Sequence, residues 1–324
     1  MNRIAPSLLM VAALSAADET GRTVTYDATY ANWLSQSWQV AGNTLTNGSL
    51  VGAGQDIDPG LIHRLSYRNT TSVGLKPFVS VAAGSESKYA NVLGGLDFTF
   101  ENGLLLSTQV EYGTTNVSTW TLDAGGTKTN YDGKSTYTSA LVSLGSETWG
   151  GYLVMRRHQV PNMLTVREVS GSRFSPGNAI LDLYYDPDYA ITTANIGVYL
   201  NLSTECGPGT IKLGLNAGFG PGFSSVGDDV KQQVDTDWNH DTTASKAHMG
   251  YDLAFDLGYE QRIFGSGIIG FGVRGVSFGN IDAIDSGGGS HGDTKPVGSD
   301  FNWDLVSSRM DGFFGPYLRI GAVF

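Results

Sequence analysis

The chain has 324 residues, a formal charge of −11, 44 glycines and only 16% charged residues. With 40% apolar residues it cannot be a disordered tail, and its acidic balance excludes a nucleic-acid partner, which needs a basic surface. No run reaches the roughly 18 apolar residues of a membrane-spanning helix. Taken from the start, residues 1–17 read as an export signal. Arg3 supplies a positive charge, a short apolar stretch covers 4–14, and Ser15-Ala16-Ala17 offers small residues for cleavage ahead of Asp18 and Glu19. The mature chain is then expected to run over 18–324 as one domain. Cys206 is the sole cysteine and cannot form an internal disulfide.

Val24, Tyr26, Ala28 and Tyr30 alternate with Thr25, Asp27 and Thr29. Leu61, His63, Leu65 and Tyr67 alternate with Ile62, Arg64, Ser66 and Arg68. This period of two marks β-strands. Ten more strands follow near 72–83, 88–101, 103–115, 135–146, 149–158, 188–202, 209–222, 247–262, 267–280 and 310–324. Glu101-Asn102-Gly103 is expected to make a tight hairpin turn, since Asn-Gly suits positive φ angles. Beyond it Leu104, Leu106, Val110 and Tyr112 oppose Ser107, Gln109 and Glu111. Tyr251, Leu253, Phe255, Leu257 and Tyr259 oppose Asp252, Asp256 and Glu260. Three acids on one face are costly in a soluble core, but natural where that face lines a polar lumen and the other meets lipid.

Short links near 101–103, 146–149, 203–208 and 263–266 alternate with long polar links near 116–134, 159–187, 223–246 and 281–307. Lipid tolerates no open sheet edge, so such strands must close on themselves. The expected fold is all-β, an antiparallel up-and-down transmembrane β-barrel of about twelve strands, the long links being extracellular loops. Ten strands is the alternative, with the first fifty or so residues as a plug or periplasmic extension.

The last segment carries Phe314, Leu318, Ile320, Ala322 and the terminal Phe324 on one face. Together with the export signal and the alternation, it resembles bacterial outer-membrane β-barrel proteins. In that family a final amphipathic strand ending in an aromatic residue is the signal for the barrel-insertion machinery. The resemblance implies location in a Gram-negative outer membrane, with lipid and lipopolysaccharide around the barrel and the insertion machinery as a partner through Phe324. The function it implies is a porin-like narrow pore for small solutes, or a structural surface barrel.

The lumen-facing set expected from the alternation is Asp252, Asp256, Glu260, Lys212, Arg274, Arg319, Asp97 and Glu111, joined by Arg64, Arg68 and Lys76. Opposite charges either pair across neighbouring strands and lock the barrel, or line a water channel and set its ion selectivity. Arg156 and Arg157 must face opposite ways on a strand, one of them at the membrane boundary. Trp149, Tyr152, Tyr189, Tyr251, Tyr259 and Phe264 fall near strand ends and are expected in interfacial girdles.

The most distinctive short motif is Asp235-Thr236-Asp237-Trp238-Asn239-His240-Asp241, in the long 223–246 link. An Asp near a His can act as an acid–base unit. Its Asp-x-Asp-Trp string resembles a motif of omptins, ten-stranded outer-membrane proteases that set an acid pair on one loop against an Asp–His couple on another to activate water. The resemblance implies that Asp235 and Asp237 match the acid pair, and a protease built on them would draw on His240 and His291. The only other close His and Asp are His291 and Asp293, in 281–307. The alternative for the motif is a solvated acidic loop, or Ca²⁺ held by the hard oxygens of Asp228, Asp229, Asp235, Asp237 and Asp241. No organic cofactor is implied. Gly-x-Ser-x-Gly occurs at 275–279 and 288–292, in neither case at a strand-to-helix turn.

Overall fold

The computed structural model describes residues 21–34, 37–39, 44–45, 50–56, 60–69, 74–84, 88–123, 126–168, 180–238, 245–281, 301–304 and 308–324. The expected export signal and the residues His240, Asp241, His291 and Asp293 lie outside them. Among the described residues the elements run β1 (Arg22–Leu34), β2 (Ser37–Gln39), β3 (Thr44–Leu45), β4 (Leu50–Asp56), β5 (Gly60–Asn69) and β6 (Gly74–Gly84). Next come β7 (Tyr89–Thr99), β8 (Leu105–Asp123), β9 (Lys128–Gly145), β10 (Trp149–Gln159), β11 (Asn162–Glu168) and β12 (Ile180–Asp186). The rest are β13 (Ala190–Cys206), β14 (Gly209–Ser225), α1 (Asp228–Trp238), β15 (Ser245–Ile263), β16 (Gly267–Ile281), β17 (Phe301–Asp304) and β18 (Ser308–Val323).

Twelve of these strands form a closed antiparallel wall in the order β1, β5, β6, β7, β8, β9, β10, β13, β14, β15, β16, β18. The ring shuts where β18 returns to β1, with Thr23 opposite Val323 and Leu34 opposite Gly312. The backbones of Arg22 and Phe324 exchange hydrogen bonds of 2.8 and 3.0 Å, so both ends of the wall meet at one rim. The tight turns at 100–104, 146–148, 207–208 and 264–266 lie at that rim too. The first of them differs from expectation. Only Gly103 takes a positive φ, 81°, and Asn102 instead caps the turn by accepting from the Leu104 amide at 3.0 Å.

The opposite rim carries further structure. The segment expected as a loop over 116–134 is largely a hairpin, because β8 and β9 stay paired from Leu105–Gly145 up to Leu122–Lys128. β4 pairs with the projecting end of β8, and β2 pairs with β4. A separate four-stranded sheet runs β17, β11, β12, β3. It packs on the projecting hairpin through stacked Tyr131 and Tyr185 rings, 4.7 Å between centroids.

The pleat sends alternate residues to opposite sides of the wall. The outer side is apolar and uncovered: Ile196, Val198 and Leu318 are 73, 65 and 66% exposed. A continuous belt of this kind is stable against lipid and would aggregate in water. Trp149, Phe264 and Phe324 stand out from the short-turn rim, as expected of an interfacial girdle. Tyr189 and Tyr251 are buried and do not join it, and neither does Tyr152. Its ring points inward and lies flat across β13 and β14, where side chains on Gly197 or Gly218 would overlap it. Tyr137 lies across Gly113 in the same way. Part of the glycine excess therefore makes room for tyrosines lying along the inner wall.

Candidate functional site

The inward faces converge on the lumen, and strand register decides which charges meet. Asp27 on β1 is the ladder partner of Arg319 on β18. Arg319 donates from Nε to Asp27 Oδ1 at 2.7 Å and from Nη2 to Oδ2 at 2.9 Å, a bidentate pair. Arg319 Nη1 turns to Glu260 on β15, and Glu260 also accepts from Lys212 Nζ on β14 at 2.5 Å. Glu260 reaches Arg319 over β16 because the residue between them is Gly270. Arg274 on β16 sits 3.2 Å from Asp27 and 3.3 Å from Asp256, and its guanidinium lies 3.9 Å from the centroid of the Tyr317 ring. Tyr317 donates to Asp256 at 2.9 Å. Charge is thus linked continuously across β14, β15, β16, β18 and β1.

Other inward carboxylates are held mostly by neutral donors. Glu111 on β8 accepts from Asn91 Nδ2 at 2.9 Å, from the Tyr137 hydroxyl at 3.0 Å and from Ser139 Oγ at 3.4 Å. Asp252 accepts from the Tyr152 hydroxyl and from Asn195 Nδ2, the latter at 2.7 Å. Asp97 accepts from Ser107 at 2.5 Å and pairs with Arg68 at 2.8 Å.

One level of the lumen is crossed by side chains. Phe278 on β16 meets His158 and Arg156 on β10 and Tyr137 on β9. Ring centroids are 5.3 Å apart for His158 and 6.5 Å for Tyr137, and Arg156 Cζ lies 4.5 Å above the Phe278 ring. Around the wall β10 and β9 are four and five strands from β16, so nearly opposite sides touch. His158 is held in place by Ser135 Oγ at 2.9 Å.

The residues singled out from sequence can now be placed. Asp252, Asp256, Glu260, Lys212, Arg274, Arg319, Asp97 and Glu111 all sit on inward faces, as do Arg64, Arg68 and Lys76. Arg156 points inward and is buried, whereas Arg157 points outward. Asp27, Tyr137, Tyr152 and Phe278 were not singled out for the lumen. The period-two pattern carries Asp27 in plain view, opposite Tyr26 and Ala28. For the aromatics it gives a face but not a reach across the barrel.

The acidic motif is a different structure from the loop expected. Asp228 to Trp238 form α1, with Asp228 and Asp229 in its first turn, where they complement the positive end of the helix dipole. Asp237 lies near the other end and accepts from the Tyr184 hydroxyl of β12 at 3.0 Å. At a rise of about 1.5 Å per residue the two ends of α1 are too far apart to share one Ca²⁺. Among the described residues no group of three or more His, Cys, Asp or Glu side chains is arranged to hold a metal ion. Asp186, at the end of β12, accepts from the amides of Gly227 and Asp188, both at 2.9 Å, and so ties the start of α1 to this sheet. Burial raises the Asp186 carboxyl above the usual carboxylate range, only partly opposed by those two amides and that of Tyr189.

A closed twelve-stranded wall, apolar outside and polar inside, with tight turns at one rim and projecting structure at the other, is an outer-membrane β-barrel. In barrels of this kind the short turns face the periplasm and the longer links the outside. The chain matches no family model and no curated protein. Among solved structures it is similar to the beta domain of the Bordetella autotransporter BrkA, at 9% identity over 94% of this chain and 98% of that one, with a TM-score of 0.37. The outer membrane protease OmpT from Escherichia coli gives 7% identity, 94% and 97% coverage and a TM-score of 0.35. The TodX monoaromatic hydrocarbon channel, as a deletion mutant, gives 10%, 95% and 91% coverage and 0.33. At these scores the likenesses add nothing to what the barrel's own geometry shows.

Proposed function

We propose that the protein is a narrow channel for small polar solutes, closed at rest by side chains of its own wall. The observation that carries this reading is the contact of Phe278 with Arg156, His158 and Tyr137. It is a stop built from single side chains in a lumen lined mostly by hydrogen-bonded polar groups and paired charges. Rotamer changes move such a stop without unfolding any strand. Residues 1–17 then serve as the export signal. β18, followed directly by Phe324, is the strand read by the insertion machinery, and lipid and lipopolysaccharide surround the apolar belt.

Conductance of the refolded protein in planar bilayers tests this. Wild-type protein should show small, brief openings, and Phe278→Ala should raise the conductance several-fold and lengthen the openings. A Phe278→Ala barrel that is folded by circular dichroism yet silent would overturn the channel. It would leave a sealed structural barrel whose work lies at the extracellular rim. The protease alternative at Asp235, Asp237 and His240 predicts peptide cleavage that Asp237→Ala abolishes. The bond from Tyr184 favours helix docking as the role of Asp237.

A further inference from the structure

Two arginines in the lumen have hydrogen-bonding capacity that the wall does not use. Arg64 on β5 and Arg156 on β10 each bury Nε and Nη2 without a hydrogen-bond partner. Arg156 is 3% exposed overall and rests on the Phe278 ring. Glu111, on β8 between them, feels the charge of both. One carboxylate thus faces both guanidiniums while it also accepts from Asn91, Tyr137 and Ser139. Asp27, the ladder partner of Arg64, is engaged by Arg319 and Arg274. Buried guanidinium N–H groups are costly to leave unpaired, and a planar carboxylate fits their fork geometry.

We propose that Arg64 and Arg156 form a binding site for the carboxylate of a small organic acid, whose apolar body packs against Phe278 and Tyr137. The site deepens the channel reading, on which it rests, by naming the solute class. It lies deeper than the periplasmic mouth, where the side chains of Arg68, Lys212 and Arg319 are 22, 12 and 14% exposed.

The test is calorimetric titration of the refolded full-length protein with benzoate, benzamide and inorganic phosphate, run beside bilayer recordings. Benzoate should bind, and benzamide, equal in shape but neutral, should not. Arg156→Gln and Arg64→Gln should each weaken benzoate at least about tenfold. Arg157→Gln, one residue away but outward-facing, should leave it unchanged, and circular dichroism establishes that each variant is folded. Phosphate binding as tight as benzoate would overturn the organic-acid class. Benzoate binding equal to benzamide, or unaffected by both inward substitutions, would overturn the site. Binding in a barrel that never conducts would sink the channel and leave the site standing, whereas conductance without benzoate binding would do the reverse.

Discussion

At the scale of single residues, the inner wall is fitted to its aromatics. A methyl group on Gly113 would overlap the Tyr137 ring, whose hydroxyl holds Glu111. Gly113→Ala should therefore destabilise the barrel by about 1–3 kcal/mol, the usual cost of overpacking. Tyr137→Ala in the same chain should remove the overlap, so a double-mutant cycle in urea should show strong coupling between the two positions. The Asp27–Arg319 pair behaves differently. Removing one partner leaves a buried charge, and Arg319→Met alone should cost about 3–5 kcal/mol. Adding Asp27→Leu to it should recover a large part of that loss, which the same unfolding experiment reads. Additive losses would mean that the pair is not coupled.

At the scale of elements, the four-stranded sheet and α1 hold together through Tyr184–Asp237 and through Asp186. The Asp186 carboxyl is raised, so it binds a proton more readily when docked than when free. Its favourable contribution is complete below the ordinary carboxylate range and is lost as the pH rises through the docked value. Limited proteolysis of the 160–189 region should therefore be slower at pH 4 than at pH 7. Asp186→Asn should reduce that difference, and an unchanged difference in the variant would show that other groups set it. These elements were the least legible ones. Val230, Val234 and Trp238 recur every fourth residue, a helical spacing, but the surrounding Asp and Gln residues disguise it as polar loop. β11 and β12 are short strands whose pairing is settled by the barrel beneath them. By contrast, Tyr251 to Tyr259 announced both faces of β15, because lipid on one side and charge on the other impose a strict period of two. The lumen was legible as a list of inward residues but not as partners. That Glu260 meets Arg319 depends on Gly270 lying between them, and that Phe278 meets His158 depends on the closed ring.

At the scale of the whole molecule, eleven of the twelve contacts around the wall join strands adjacent in the ring that follow one another along the chain. The twelfth, β1 with β18, joins the two extremes. Because Arg22 and Phe324 are already hydrogen-bonded neighbours, the order of strands around the wall is cyclic. A circular permutant with these ends joined by a short glycine-rich linker and new ends opened between residues 286 and 287 should fold to the same barrel. Matching far-ultraviolet circular dichroism and the same heat-dependent gel mobility check this. Failure to fold would mean that assembly needs β18 at the very end of the chain.

That single long-range contact is also where the charge chain is densest, with Asp27 and Arg319 separated by 292 residues along the polypeptide. Every other joint in the wall is backed by a hairpin or a connecting segment, whereas this one has no covalent backing at its rim. The two ion-paired strands act as a clasp. If an outward pull were applied to the terminal strand in a force experiment, the first and highest rupture should come at this joint, before any hairpin peels away. With the clasp charges removed, that peak should sink into the series that follows it.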